Sequence, residues 1–219
     1  MSSARDEILS RIRHSLHGLE TPEPALRRQL DQRLAAHKVH VQPRLDEDLT
    51  KQFIAKLQTI HVTVHRASTL DEVPKLIIGH IESQSLAAQV VMAKDALLDN
   101  IDWPEQLQIE CRSTVGEDKV TVTGVFAAVA ETGTLVLLSG PDSPTTLNFL
   151  PEDHIAVVAE AQILPHVEDV WVQLRKDYQA LPRTINLITG PSKTADVEQT
   201  IHYGAHGPRH LVVILVEQT

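Results

Sequence analysis

The sequence predicts an α/β fold, a layered open sheet preceded by a short helical arm, and three observations predict it. From residue 46 onward, helical segments alternate with short apolar runs, the mark of a sheet with crossover helices. Several of those runs are apolar almost without interruption, as strands covered on both faces are. Ahead of them, residues 1–45 hold short charged helical segments that cannot bury an apolar stripe by themselves. The reading is therefore an arm over 1–45 and one α/β domain over 46–219.

In the arm, Ile8, Ile12 and Leu16 recur at helical spacing, with Leu9 and Leu19 beside them, Asp6 and Glu7 at the start and Gly18 after the end, which predicts an amphipathic helix over 3–17. A second, charged helix follows the two prolines of "ETPEPALRRQLDQRLAAHKV" and ends before Pro43. In the domain, "EDLTKQFIAKLQTI" reads as a helix and "HVTVHRA" as a strand. "TLDEVPKLIIGHIESQSL" reads as a helix that Thr69 and Glu72 open as a capping box, with Pro74 in its early turns. "AAQVVMA" is a strand, and so is "LQIE" before Cys111.

The middle of the chain is richer in strand. Val125–Ala130 and Leu135–Leu138 flank "ETGT", which predicts a tight hairpin with Gly133 at positive φ. Further strands are expected in "HIAVVAEA" (154–161), "TINLITG" (184–190) and "HLVVILVE" (210–217). "LVLLSGPDSPTTLNFLPEDHIAVV" and "INLITGPSKTADVEQTIHYGAHGPRHLVVILVE" share one plan: apolar strand, Gly-Pro, hydroxyl residues, a histidine and a second apolar strand. The two Gly-Pro loops, at Gly140 and Gly190, are expected to face each other at one sheet edge, outside the carboxyl ends of the strands, where open α/β sheets bind ligands.

Composition bounds the function. Net charge is -9 with pI about 5.7, against the basic face that a non-specific nucleic-acid binder presents. The lone cysteine, Cys111, can neither close an intramolecular disulfide nor ligate an iron–sulfur cluster. A free thiol, no apolar leader segment and no run long enough to span a bilayer give a cytoplasmic reading.

Three motifs carry candidate chemistry. In Gly190–Asp196, "GPSKTAD", a strand is expected to end and a helix to begin, its free N–H groups and Lys193 drawing a carboxylate or phosphate; Ser192 or Thr194 would cap it and Asp196 sit in its first turn. Capping alone, with Lys193 in water, is the plainer reading of the same residues. In "AETGT", Glu131 is a candidate nucleophile or general base, with Thr132, Gly133 and Thr134 supplying donors around it; a solvated turn carboxylate is the alternative. His206, Gly207 and Arg209 form a third loop, lining an anion pocket or a partner surface. His202, His206 and His210 recur every four residues, but Gly204, Gly207 and Pro208 interrupt any helix that would align them, so no metal is expected.

"VAETGTLVLLSG", "LPEDHI", "GPSKTADVE" and "GAHGP", in this order, resemble the LUD-domain family, strongly over about residues 110–217 and weakly before. The resemblance implies a fold similar to the sugar-phosphate isomerase and CoA-transferase superfamily. It implies a place in the oxidation of L-lactate to pyruvate beside iron–sulfur partner proteins. Since this chain cannot ligate a cluster, it would be the subunit without redox metal, binding small carboxylates or partner proteins through the 131–134, 190–196 and 204–209 loops, or organising the assembly. The alternative that the superfamily implies is a stand-alone acyl or CoA transferase, or an isomerase, working through Glu131. Whether the chain is itself an enzyme is left open by the sequence.

Overall fold

The structure, a computed structural model, describes residues 4–15, 23–36, 41–197 and 200–218. It divides into two units, Met1–Gln42 and Pro43–Thr219. The first holds helices α1 (Ala4–Ser15) and α2 (Pro24–Ala35). Asp6 and Glu7 sit in the first turn of α1, and Glu7 pairs with Arg11 one turn on at 2.9 Å. Pro24 opens α2, where its missing N–H costs no hydrogen bond. Ile8, Ile12, Leu26 and Leu30 are all exposed.

The second unit begins with α3 (Leu49–Thr59), capped by the Asp48 carboxylate, which accepts from the Lys51 N–H at 3.0 Å. Strand β1 (Thr63–Thr69) and helix α4 (Val73–Ser83) follow. The capping box expected at Thr69 is displaced: the Glu72 carboxylate accepts from the Ser68 N–H at 2.8 Å, and Thr69 makes no side-chain cap. A 3-10 turn, Leu70–Glu72, intervenes before α4, and the Glu72 carboxylate reaches Ser68, one residue further back than the expected Thr69. Strands β2 (Gln89–Met92), β3 (Gln108–Glu110) and β4 (Val120–Gly124) come next, then the hairpin of β5 (Ala127–Val129) and β6 (Thr134–Leu138).

Helix α5 (Thr146–Phe149) leads to β7 (Asp153–Ala159), and β8 (Ile163–Leu164) leads to α6 (Val167–Asp177). The chain closes with β9 (Ile185–Ile188), β10 (Lys193–Val197), β11 (Thr200–Tyr203) and β12 (His210–Gln218). Six strands form one wholly parallel sheet in the order β1-β12-β7-β4-β2-β3. A four-stranded sheet, β8-β5-β6-β9, pairs β5 with β8 in parallel and its other neighbours antiparallel, while β10 and β11 form a separate ribbon.

Alternation along the buried strands builds two cores, because successive side chains leave a strand on opposite faces. Val120, Val122, Ile155, Val157, Val212 and Ile214 pack with Val73, Ile77 and Ile81 of α4. Ala156, Val158, Leu211, Val213 and Leu215 pack with Phe53 and Leu57 of α3 and with Leu135 and Leu137 of the second sheet. That explains the unbroken apolar runs of β7 and β12. Strand β9 departs from the expected two-sided burial. It is an edge strand of the smaller sheet, and Leu187 is 46% exposed.

Candidate functional site

The hairpin between β5 and β6 turns as its sequence requires. Gly133 has φ +71, and a Cβ there would lie 3.0 Å from Lys56 Cβ and 3.2 Å from the Leu57 nitrogen. Only glycine combines this backbone with so close an approach to α3. The turn places Glu131 beside His166, which heads α6: His166 Nδ1 donates to Glu131 Oε2 at 2.8 Å. The Glu131 N–H is itself held by the Pro165 carbonyl at 3.1 Å, and the His166 N–H by the Asp169 carboxylate at 3.0 Å. Both side chains of the pair are largely shielded, so Glu131 is no freely solvated turn carboxylate.

On the other side of the turn, hydroxyls are linked in series. Thr132 and Thr134 share a hydrogen bond of 2.6 Å, and Thr134 and Thr189 one of 2.7 Å. Thr189 precedes Gly190, whose φ of +87 reverses the chain against Ile60 at the end of α3. The helix expected from Ser192 is absent. Lys193–Val197 is a strand paired antiparallel with Thr200–Tyr203. Local chemistry explains the difference: Thr194 and Val197 are β-branched, and the Ser192 backbone is already engaged. Its N–H donates to the Pro208 carbonyl at 2.9 Å, and its carbonyl accepts from the Gly204 N–H at 3.0 Å.

No helix N-terminus therefore faces an anion here. What remains is a folded loop pair. Ser192 Oγ accepts from the His206 N–H at 3.3 Å, and a Cβ on Gly207 would touch Ser192 Cβ at 3.4 Å. Lys193 Nζ donates to the Ile60 carbonyl at 3.4 Å and lies 5.6 Å from the Tyr203 ring centroid. Arg209 packs its Cβ against Gly204. Both cations are exposed, and among the described residues neither has a salt-bridge partner. Thr194 is half-buried in β10; the Asp196 side chain, like that of His202, lies outside what the structure describes.

The structure thus brings Glu131, Thr132, Gly133, Thr134, Gly190, Ser192, Lys193, His206, Gly207 and Arg209 to one end of the domain. It is the amino end of the parallel sheet, since Ile60 precedes β1 and Arg209 immediately precedes β12. Gly140 is not there. Strands β6 and β9 run antiparallel, with Leu138 opposite Ile185, so the loops leaving them diverge to opposite ends. The Gly140 loop meets the carboxyl end of β2, where the Lys94 N–H donates to the Asp142 carbonyl at 2.9 Å. The expected meeting of the two Gly-Pro loops is overturned by that antiparallel pairing.

Two further groups escaped the sequence reading. At the first residue of β7, Asp153 is nearly fully buried and accepts at Oδ1 from His80 Nε2 of α4 at 2.7 Å and from His210 Nδ1 at 3.2 Å. Burial pushes its pKa up, but the hydrogen bonds from His80 and then His210 outweigh that and leave it lowered. Next to it, His154 is wholly buried, with Nε2 hydrogen-bonded to Thr123 Oγ1 at 2.8 Å, and burial lowers its pKa to about 4. Among the described residues no group of side chains is arranged to hold a metal ion.

With this geometry in place, the class is defined by sequence comparison. The LUD domain family model matches residues 50–216, and the chain belongs to that family. An uncharacterized protein of Neisseria meningitidis is 28% identical over 76% of this chain and 61% of its own length, so the chain spans less than two thirds of that relative. Lactate utilization protein C of Anoxybacillus flavithermus is 28% identical over 77% of this chain and 79% of its own. The same-named protein of Exiguobacterium is 27% identical over 78% and 79%. A solved DUF162 family structure from Deinococcus radiodurans superposes with a TM-score of 0.59 at 22% identity, covering 80% of this chain and 99% of that one. It shares the fold.

Proposed function

We propose that this chain serves L-lactate utilisation as a cytoplasmic subunit that holds a small carboxylate and works with iron–sulfur partner proteins. One observation supports this above the others: the Ser192–Lys193 and Gly204–Arg209 segments are bonded to each other, which sets Lys193 and Arg209, neither with a salt-bridge partner among the described residues, at one end of the domain. A carboxylate between a lysine and an arginine gains charge-assisted hydrogen bonds. The relatives named lactate utilization protein C support L-lactate or its oxidation product as the carboxylate in this reading. Removing electrons from it falls to the partners, because the single cysteine, Cys111, cannot hold a cluster.

Titration of L-lactate calorimetrically against the wild type and a Lys193→Ala/Arg209→Ala variant tests the reading. Affinity should drop by about tenfold or more when both charge-assisted contacts are lost. Unchanged affinity would contradict the assignment. A second reading, an acyl or CoA transferase or an isomerase working alone, is favoured by the Glu131–His166 pair. There Glu131→Gln abolishes turnover without a partner while fold and ligand affinity persist.

A further inference from the structure

The loop pair at the amino end leaves the opposite end of the parallel sheet without an assigned role, and there the chain has a cleft of about 390 Å³. That volume lies within the roughly 300–1,000 Å³ of small-molecule sites, and the carboxyl end of parallel strands is where α/β sheets bind ligands. Its floor is the last residue of β4, Gly124. A Cβ on Gly124 would stand 2.4–2.5 Å from the Asp95 carboxylate. Glycine is thus required at this position for the carboxylate to lie across the strand end. Asp95 is fixed there by the Leu97 N–H, which donates to Oδ1 at 2.8 Å.

The rest of the lining is equally ordered. Gln162 cannot swing, since its Oε1 accepts from the Ala159 N–H at 2.9 Å and its Nε2 donates to the Val125 carbonyl at 2.6 Å. Phe126 and Tyr178 meet edge to face, with centroids 5.9 Å apart at 63°, and form an aromatic wall. Ser143, from the Gly140 loop, closes one side, held by reciprocal backbone bonds with Gly140. Among the described residues lining the cleft, Asp95 is the one charged group.

We propose that this cleft is a second binding site, selective for a small organic ammonium ligand bearing an apolar or aromatic body. A carboxylate and aromatic rings both attract positive charge, and apolar side chains such as Leu138 and Val125 receive the body of the ligand. The same lining repels a carboxylate. The two ends of the domain therefore bind ligands of opposite charge.

Benzylamine, benzyl alcohol and benzoate share one ring and differ in charge, so they serve as probes in calorimetric titrations of the full chain. Benzylamine should bind more tightly than the alcohol, and benzoate should not bind. Asp95→Asn should weaken benzylamine by about tenfold while leaving benzyl alcohol unchanged. Tyr178→Leu, at an exposed position, provides a second variant with low risk to folding, and it should weaken both. Equal binding of all three probes, binding of none, or unchanged benzylamine affinity in Asp95→Asn would overturn the proposal. L-lactate titrations of Asp95→Asn should match wild type, which separates this site from the amino-end one.

Discussion

Replacing His154 with glutamine should flatten the acid side of the stability profile. His154 has no exposed surface, and its Nδ1 has no partner among the described residues, so a proton taken up in the fold would be a desolvated charge. Its pKa drops from the ordinary 6.5 to about 4 through burial. The unfolded chain therefore binds the proton first, and stability falls as pH falls from the unfolded value through the folded one. Integrated between about pH 7.5 and about pH 5, the loss from this group alone is about 2 kcal/mol, approaching about 3 kcal/mol below the folded pKa. Other acid-side groups, among them Asp153 and His65, whose pKa is lowered by burial and then by the neighbouring His80, are common to wild type and variant and drop out of the difference. Urea unfolding of both proteins at the two pH values is the assay. The wild type should lose about 2 kcal/mol more than His154→Gln. Equal losses would refute the reasoning, whatever the variant's stability at neutral pH.

Gly133→Ala forces a side chain onto φ +71 and to within 3.0 Å of Lys56 Cβ; denaturant unfolding should show a loss of about 1–3 kcal/mol. The Asp153 carboxyl, its pKa raised by burial but lowered further by His80 and His210, should titrate below the ordinary carboxylate value in carbon-detected NMR. Its contribution to stability is present above the unfolded value and is lost as pH falls through the lowered folded one. His80→Ala should move that titration upward, and an unmoved curve would contradict the assignment. Leu57→Ala, fully buried under the second sheet, should cost about 3 kcal/mol in the same unfolding assay.

The parts of this fold legible in the sequence are those set by local pattern. Unbroken apolar runs announced β7 and β12, and Thr-Gly between apolar runs announced the Gly133 hairpin. The parts that were not legible depend on pairing between distant segments. Local signals at Lys193–Val197 conflict: Ser192, Thr194 and Asp196 suit the start of a capped helix, while β-branched Thr194 and Val197 favour a strand. The decision rests with Pro208 and Gly204, which engage Ser192 from across the loop. The divergence of the Gly140 and Gly190 loops follows from the antiparallel register of β6 and β9, which no single segment encodes. His166 left a faint signal, a Pro-His step with Asp169 three residues on. Asp153 left another, as a charge heading a strand that is apolar from Ile155 onward. Their partners, Glu131 in one case and His80 and His210 in the other, are brought together only by the fold.

The most direct test of the central claim is affinity purification of this chain from its native host grown on L-lactate, followed by dye-coupled L-lactate oxidation on the eluate with and without the chain. The account predicts that iron–sulfur proteins co-elute and that activity falls when the chain is removed or carries Lys193→Ala and Arg209→Ala. A chain that elutes alone, with L-lactate oxidation unaffected by its removal, would contradict it.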